Sequence, residues 1–515
     1  MRVNDVSHTM RSGLKRRSVL IGAAAAALLL AAPGSAFAQQ TPVEGGTLRL
    51  VQGADAQPKN ILAGRAGNDS WRHQVFDALT VLDSETGLPR GVLATDWESS
   101  EDGLSFVVRI RDDVTFHTGR PLTAADVVFT LEQVAVPENS SQMRPIVSAY
   151  TSIEATGEYE VTITSDTPVA PRVFDLFQLA VIVDSETFSG LADGSQVIGT
   201  GPFRWREWVS GASLTLEKNT DYWGEGPYLD AIEISVLGDS TAQANALRGR
   251  ADMVMGLTPR DSVMFRGDPN VQMLQAAGGQ IFPLGLDVSA IESKELRQAI
   301  GFALDRQRII DQLFDGVGNG SAVWWSDNEP GTTEDLTGFY SYDPERARQL
   351  IAAAGAEGAE IDLTVIGLQP VPALYEIVQN NLREVGLTPV GDVVETAAFD
   401  QGQTAGDLGP AFMQIHGLQG FSAATLVDAL PALRDGNPSK FDPPRYRELK
   451  DALQSAQDQD TYAAALQELG LFMLDEAFSH VIVHTNRLDA TTSKVHGVVH
   501  VNVGYLELAK AWLES

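Results

Sequence analysis

The 515-residue chain carries 68 acidic against 37 basic side chains, a formal charge of −31, and a field of that sign repels phosphate backbones and anionic lipid headgroups, so nucleic acid is excluded as a partner although salt screens the field beyond about 8 Å. At roughly 100–200 residues per lobe, the length calls for two or three lobes. Cysteine is absent, which removes disulfides, thiolate metal ligands, cysteine nucleophiles and a lipid-modified N-terminal cysteine together.

The first segment reads as an export signal. Lys15, Arg16 and Arg17 precede Ser18, Val19, Leu20 and Ile21, then a small, apolar run to Ala32 and the sequence Ala36-Phe37-Ala38 before Gln39, which predicts a signal peptide over 1–38. Its core is too short and too rich in alanine for a membrane span, which needs about 20 strongly apolar residues. Arg16-Arg17 followed by Ser18 and two apolar residues resembles a twin-arginine signal, with Lys15 where Ser or Thr is commoner; the general secretory route is the alternative. Cleavage removes five basic residues and one acidic, leaving 32 against 67 and a charge of −35.

Residues 45–51 (GGTLRLV) read as a strand, and a helix is predicted from near Ser70 carrying Val75, Phe76 and Leu79. In 94–129, Phe106, Val108 and Ile110 alternate with Val107, Arg109 and Arg111, the period of a strand with one packed face. Asp112-Asp113 and Gly119-Arg120-Pro121 break the chain. Thr123 with Asp126 then forms a capping box with Asp in the usual Glu place, and Val127, Val128 and Leu131 supply the apolar stripe of the helix. Gly199-Thr200-Gly201-Pro202-Phe203 is a tight turn between strands; no Gly-Lys-Ser/Thr follows, so a phosphate-cradling loop is set aside. Strand 232–237, helix 241–248 with Gly249 as its stop, and strand 252–255 alternate as in a covered sheet. Ile300, Leu304 and Ile309 lie near helical spacing, and Asp343-Pro344 reads as N-cap and first helical residue. Arg297, Asp305 and Arg306 are expected to be structural salt-bridge partners.

Several of these blocks together resemble a known family. Trp97-Glu98, Asp102-Gly103, the strand ending Arg109 to Arg111, Phe116-His117-Thr118-Gly119, Thr123-Ala124-Ala125-Asp126-Val127, Gly199 to Phe203 and Asn219 to Gly224 are similar to the signature of the family 5 extracellular solute-binding proteins of ABC importers, the dipeptide, oligopeptide and nickel binders. The resemblance runs from Gly45 to Trp512. It implies an α/β, two-lobed periplasmic-binding-protein fold (type II) with a hinge and an additional inserted domain. The first lobe is expected at 45–75, 196–282 and 485–515, the inserted domain at 76–195 and the second lobe at 283–484. It further implies a monomer without cofactor, whose partners are a small-molecule ligand, a peptide or other small polar solute, and permease subunits; with no cysteine to carry a lipid, no stable membrane anchor is expected and the exported chain should diffuse freely in a periplasm.

Carried over from the family, ligand contacts fall on Asn68 and Trp71, on the stretch His416, Gly417, Gln419 and Phe421, and on His484; Trp324 and Trp325 join them by residue type. Peptide-binding relatives place an Asp in the second of these regions to pair with the ligand's ammonium. Here the stretch 412–422 has no acid before Asp428, so the expectation is a ligand other than a simple free peptide, with His416 or Gln419 bonding a different polar group; a peptide stays open as the alternative, since a shifted acid would substitute. His480 and His484, like His496 and His500, are four apart; in strands that spacing is roughly 13 Å, too far for both to ligate one ion, which leaves a metal chelate held through one His as an alternative ligand. An exported hydrolase is the alternative of a different class, although neither Gly-x-Ser-x-Gly nor His-Glu-x-x-His occurs.

Overall fold

The structure, a computed structural model, describes residues 41–83, 86, 88–276, 279–417, 420–501 and 505–514. All the elements below belong to the unit Pro42–Ser515; the predicted signal peptide lies outside the described residues. No helix among the described residues is long and apolar enough to cross a membrane.

Alternation in the strand Ser105–Ile110 buries Phe106, Val108 and Ile110 as expected. Ala94–Ser99 and Glu160–Ser165 flank it, and Tyr150–Gly157 completes a four-stranded antiparallel sheet. The helix Ala124–Ala135 begins at the capping box, with Thr123 N donating to Asp126 Oδ2 at 3.2 Å. Asp in place of Glu has a second role here: Arg120 donates to both oxygens of the same buried carboxylate at 2.6 and 3.0 Å and to Asp184 at 2.5 Å. Cap and ion pair thus share one side chain, a bidentate arrangement that fixes where the helix starts.

The helix predicted from Ser70 is a single turn, Arg72–Val75, and Phe76 is already extended. The cause lies far along the chain. Gly201 N donates to Val75 O at 3.0 Å, occupying the carbonyl that a continuing helix would offer to Leu79. Two of the family blocks dock at this point. His117 N donates to Gly199 O at 2.8 Å, and His117 Nε2 donates to Gly201 O at 3.0 Å while its Nδ1 accepts from Gly199 N at 3.4 Å. Burial pushes the His117 imidazole down to about 4, so the ring is neutral in this role. Thr200 Oγ1 and Trp223 Nε1 donate to the buried Asp77 at 2.8 and 3.0 Å, joining the third block to the same node. A Cβ on Gly199 would sit 2.0 Å from Val75 O. Gly199→Ala is therefore expected to cost on the order of 2–4 kcal/mol, read as a lower urea midpoint; an unchanged midpoint would mean that this docking is dispensable.

Two larger sheets frame the remainder. The first has seven strands in the order Val271–Ala276, Arg487–Thr492, Met253–Val254, Thr47–Gln52, Ala231–Val236, Ser213–Lys218, Phe203–Val209, with Thr47–Gln52 parallel to both neighbours. The second has five, in the order Thr388–Val394, Glu360–Ile366, Ala411–Met413, Ile281–Leu286, Ser479–His484. The chain passes from one to the other after Ala276 and returns after His484. The two crossovers are bonded to each other: Thr485 N donates to Gln280 O at 2.9 Å and Gln280 N to Thr485 Oγ1 at 3.0 Å.

Helices Lys294–Ala303 and Arg306–Leu313 form where the spacing predicts, and Asp305 and Asp343 cap their helices by accepting from Arg308 N and Arg346 N at 3.0 and 2.9 Å. The salt-bridge expectation needs correction. Arg306 spends its guanidinium on the carbonyls of Val481 and Tyr340, at 3.0 and 2.8 Å, and has no acidic partner among the described residues. Arg297 likewise bonds the carbonyls of Glu476, Ile291 and Glu292, with one carboxylate contact to Glu476 at 3.6 Å. A planar five-donor group is suited to carbonyls left at element ends, and sequence alone does not separate that use from ion pairing.

Candidate functional site

A cavity of about 520 Å³ opens where the crossovers meet, and its wall draws on both sheets. Gln275 and Ala276 come from the last turn of a strand in the seven-stranded sheet, Asn486 from the return crossover, and Val498, Val499 and His500 from the C-terminal segment. The opposite side is the loop Asn319 to Asn328 together with His484 at the end of its strand. That loop is fastened to the strand. Asn319 N donates to His484 O at 2.9 Å and His484 N to Asn319 O at 3.0 Å, and Gly318 makes the approach possible with φ +132°, a Cβ there falling 2.5 Å from His484 O.

The wall is polar and almost uncharged. His484 is buried, its imidazole is held below the ordinary value by burial, and its Nε2 donates to Val323 O at 2.7 Å. His500 Nε2 lies 2.9 Å from Asp489 Oδ2. Behind this wall Arg487, one residue past the crossover, donates to Asp69 Oδ2 at 2.7 Å and to Asp489 Oδ1 at 3.4 Å. Burial would lower the Arg487 guanidinium, but the charges of Asp489 and Asp69 outweigh it and raise it. Burial pushes the Asp489 carboxyl up, yet Arg487, the His500 contact and Gly256 N at 2.7 Å leave it below the usual carboxylate range. At Asp69 burial wins and the carboxyl stands high despite Arg487.

Two of the residues predicted from sequence, Trp325 and His484, are brought together on this wall. Trp325 turns its Nε1 to Thr332 Oγ1 at 3.0 Å. Trp324 is buried beside it with its ring 5.9 Å from that of His416. His416 is tied to Ile281 through both backbone groups, at 2.8 and 2.9 Å, and its Nε2 has no hydrogen-bond partner among the described residues. Burial drives the His416 imidazole down to about 4. Gly417 is exposed and Phe421 buried; Gln419 lies outside the described residues.

Asn68 and Trp71 are placed elsewhere, in the interior of their own loop. Asn68 accepts from Gln57 N at 2.8 Å and donates to Gln57 O at 3.0 Å; Trp71 is fully buried, donates to Gly67 O at 3.1 Å and packs edge-on against Trp205 with centroids 4.9 Å apart. Their neighbour Asp69 is the residue of that loop that reaches the charge network. The sequence carries no periodic signal for Asp69, Arg487 or Asp489, because each is defined by a partner more than ten residues away or on the other side of a crossover.

The histidine pairs are separated as well. His480 donates to Arg297 O at 2.9 Å, and His496 stacks on Trp512 with centroids 4.3 Å apart. His496 and His500 sit on two different short strands, Val495–His496 and Val499–His500, because Gly497 turns the chain between them with φ +71°. No group of three or more His, Asp or Glu able to hold a metal ion occurs among the described residues.

Comparison with known proteins agrees with this architecture. The family model described as bacterial extracellular solute-binding proteins, family 5 Middle, matches residues 89–426. Heme-binding protein A of Haemophilus influenzae is 28% identical over 348 residues, 61% of this chain and 62% of that relative, so the chain matches less than two thirds of its length. The dipeptide-binding protein of Escherichia coli is 24% identical over 448 residues, 79% of this chain and 83% of that one. Among solved structures, HbpA2 from Haemophilus parasuis superposes with a TM-score of 0.80 at 22% identity, covering 91% of this chain and 100% of the other. NikA from Brucella suis in complex with Fe(III)-EDTA gives 0.79 at 21%, with 91% and 100% covered. The fold is thus the two-lobed one of periplasmic binding proteins, and with a family match over well more than half of its length the chain belongs to the bacterial extracellular solute-binding proteins of family 5.

Proposed function

We propose that this protein is the periplasmic binding component of an ABC importer, exported by the segment 1–38, and that it captures a small polar ligand and delivers it to permease subunits as a monomer. The first lobe is assigned to 45–75, 196–282 and 485–515, its inserted domain to 76–195 and the second lobe to 283–484. The observation that carries the reading is the cavity of about 520 Å³ whose wall takes residues from both large sheets and from both sides of the paired crossovers. Rotation about those crossovers changes how far a ligand is enclosed, and a ligand with higher affinity for the enclosed state shifts the population towards it. Recognition is the chemistry such a wall supports, with a few placed polar groups and aromatic or apolar neighbours.

The test is thermal denaturation of the purified mature chain against a panel of peptides, amino sugars, sugars and metal chelates, with product analysis of the same samples. A binder gains about 2.7 kcal/mol at a ligand concentration 100 times Kd, without consuming the compound. Turnover of a peptide or ester, or no stabilisation by any compound, would overturn the reading.

A further inference from the structure

On the reading that the cavity is the ligand site, its charge inventory specifies the ligand more closely. Among the described lining residues there is neither lysine nor arginine, and one carboxylate, Asp327. Asp327 is exposed at the cavity surface and forms no ion pair with a lysine or arginine among the described residues; its contact is Asn319 Nδ2 at 3.4 Å, at the long end of hydrogen bonding. The neighbouring charges are already committed. Arg487 is held by Asp69 and Asp489, and His500 by Asp489. His484 donates to Val323 O. The rest of the wall carries amides and a hydroxyl, from Gln275, Asn319, Asn486 and Ser326, with Asn486 Nδ2 donating to Gln275 Oε1 at 3.3 Å.

Closing the lobes over this wall removes water from Asp327. An ionised carboxylate in a shrinking, water-poor cavity is costly unless a cation meets it, and a ligand carboxylate there would find no guanidinium or ammonium to accept it. The asymmetry therefore penalises anions, is indifferent at best to neutral compounds and favours cations. The geometry points to a small polar organic cation as the ligand, its primary ammonium group paired with Asp327 and its remaining hydrogen-bonding groups met by the amides of the wall, with no free carboxylate of its own. The proposal thus places an amine-recognising acid in the loop that follows Trp324-Trp325, while the stretch 412–422 carries none.

Matched probes separate charge from shape. Thermal stabilisation and calorimetry are measured with alanyl-alanine amide, its N-acetyl derivative, N-acetyl-alanyl-alanine, glucosamine and glucose. At least one of the two amines is expected to bind, with the matched acetylated or neutral partner weaker by about tenfold or more, and Asp327→Asn is expected to abolish that difference. Because Asp327 is exposed and weakly bonded, the variant should fold as the parent does, and its unliganded Tm checks this. Equal binding of amines and their neutral partners, preference for the N-acetylated acid, or an amine preference that survives Asp327→Asn would each overturn the charge assignment while leaving the binder reading intact. Failure of every probe, together with failure of the wider panel above, would overturn both.

Discussion

Arg487→Met is expected to destabilise the protein by about 3–5 kcal/mol, because it leaves the buried Asp489 and the largely covered Asp69 without the cation that both face. Methionine preserves most of the volume, so the loss is electrostatic rather than a cavity. Asp69 is affected most: Arg487 is the main influence holding its carboxyl down against burial, and without it the group rises further. Asp489 keeps Gly256 N and the His500 contact. The sign of the pH dependence follows. A carboxyl raised in the folded state retains a proton that the unfolded chain has already lost, so its contribution is present at low pH and is lost as pH rises through the folded value. The variant should therefore lie closer to the parent at pH 5 than at pH 8. Urea denaturation at the two pH values checks this; a deficit that is the same at both, or below about 1 kcal/mol, would show that the network is not what stabilises this end of the sheet.

A second large effect is expected where the helix Ala170–Leu179 meets the start of the helix Ala423–Ala429. Asp175 accepts from Ser422 N at 3.0 Å and Ser422 Oγ at 2.6 Å, and Glu329 accepts from Ala423 N at 2.8 Å and from the Tyr462 hydroxyl. Arg172 and Asp428 form an ion pair at 3.2 Å between the same two helices. Two acids thus converge on one helix start, a placement that suits a negative charge, yet both are desolvated. Burial pushes the Asp175 carboxyl up to about 6, and burial with the nearby Asp175 pushes Glu329 up to about 8, against the bonds from Tyr462 and Ala423. Both groups are raised, so the stability they confer is complete near pH 4 and declines as pH passes through about 6 and about 8. Between pH 5 and pH 8 the decline should be on the order of 5 kcal/mol. Glu329→Gln keeps an oxygen acceptor for Ala423 N and Tyr462 while removing the titration, and should flatten the upper part of the curve; Asp175→Asn should flatten the lower part. Measuring each variant against the parent cancels the general self-repulsion of so acidic a chain. A double variant that keeps the parent's slope would refute the assignment.

Legibility in the sequence followed the range of the interactions. The strand Ser105–Ile110, the capping box at Thr123 and the cap at Asp343 depend on neighbours a few residues away, and their pattern is written locally. The one-turn helix at Arg72 was not legible, since what ends it is a backbone amide contributed by Gly201. The same holds for the cavity. Trp325 and His484, which residue type and family resemblance single out, lie on its wall, whereas Asp327, Asn319 and Asn486 are ordinary polar residues until Gly318 lets one loop lie against the strand that carries His484. The absence of an acid in 412–422 is read directly from the sequence; a carboxylate offered by another loop, as Asp327 is, leaves no mark on spacing.

The pairing of Gln280 with Thr485 bears on how an entering molecule meets this protein. In any rotation about the crossovers an atom travels in proportion to its lever arm. Asn319, bonded to the end of one crossover, and Asn486, within it, therefore stay nearly still, while groups further from that axle sweep the larger arcs. On the proposed reading the near wall, with Asp327 as the one carboxylate among its described lining residues, is a stationary anvil against which the lobes swing. A solute would then meet that charge before the lobes close.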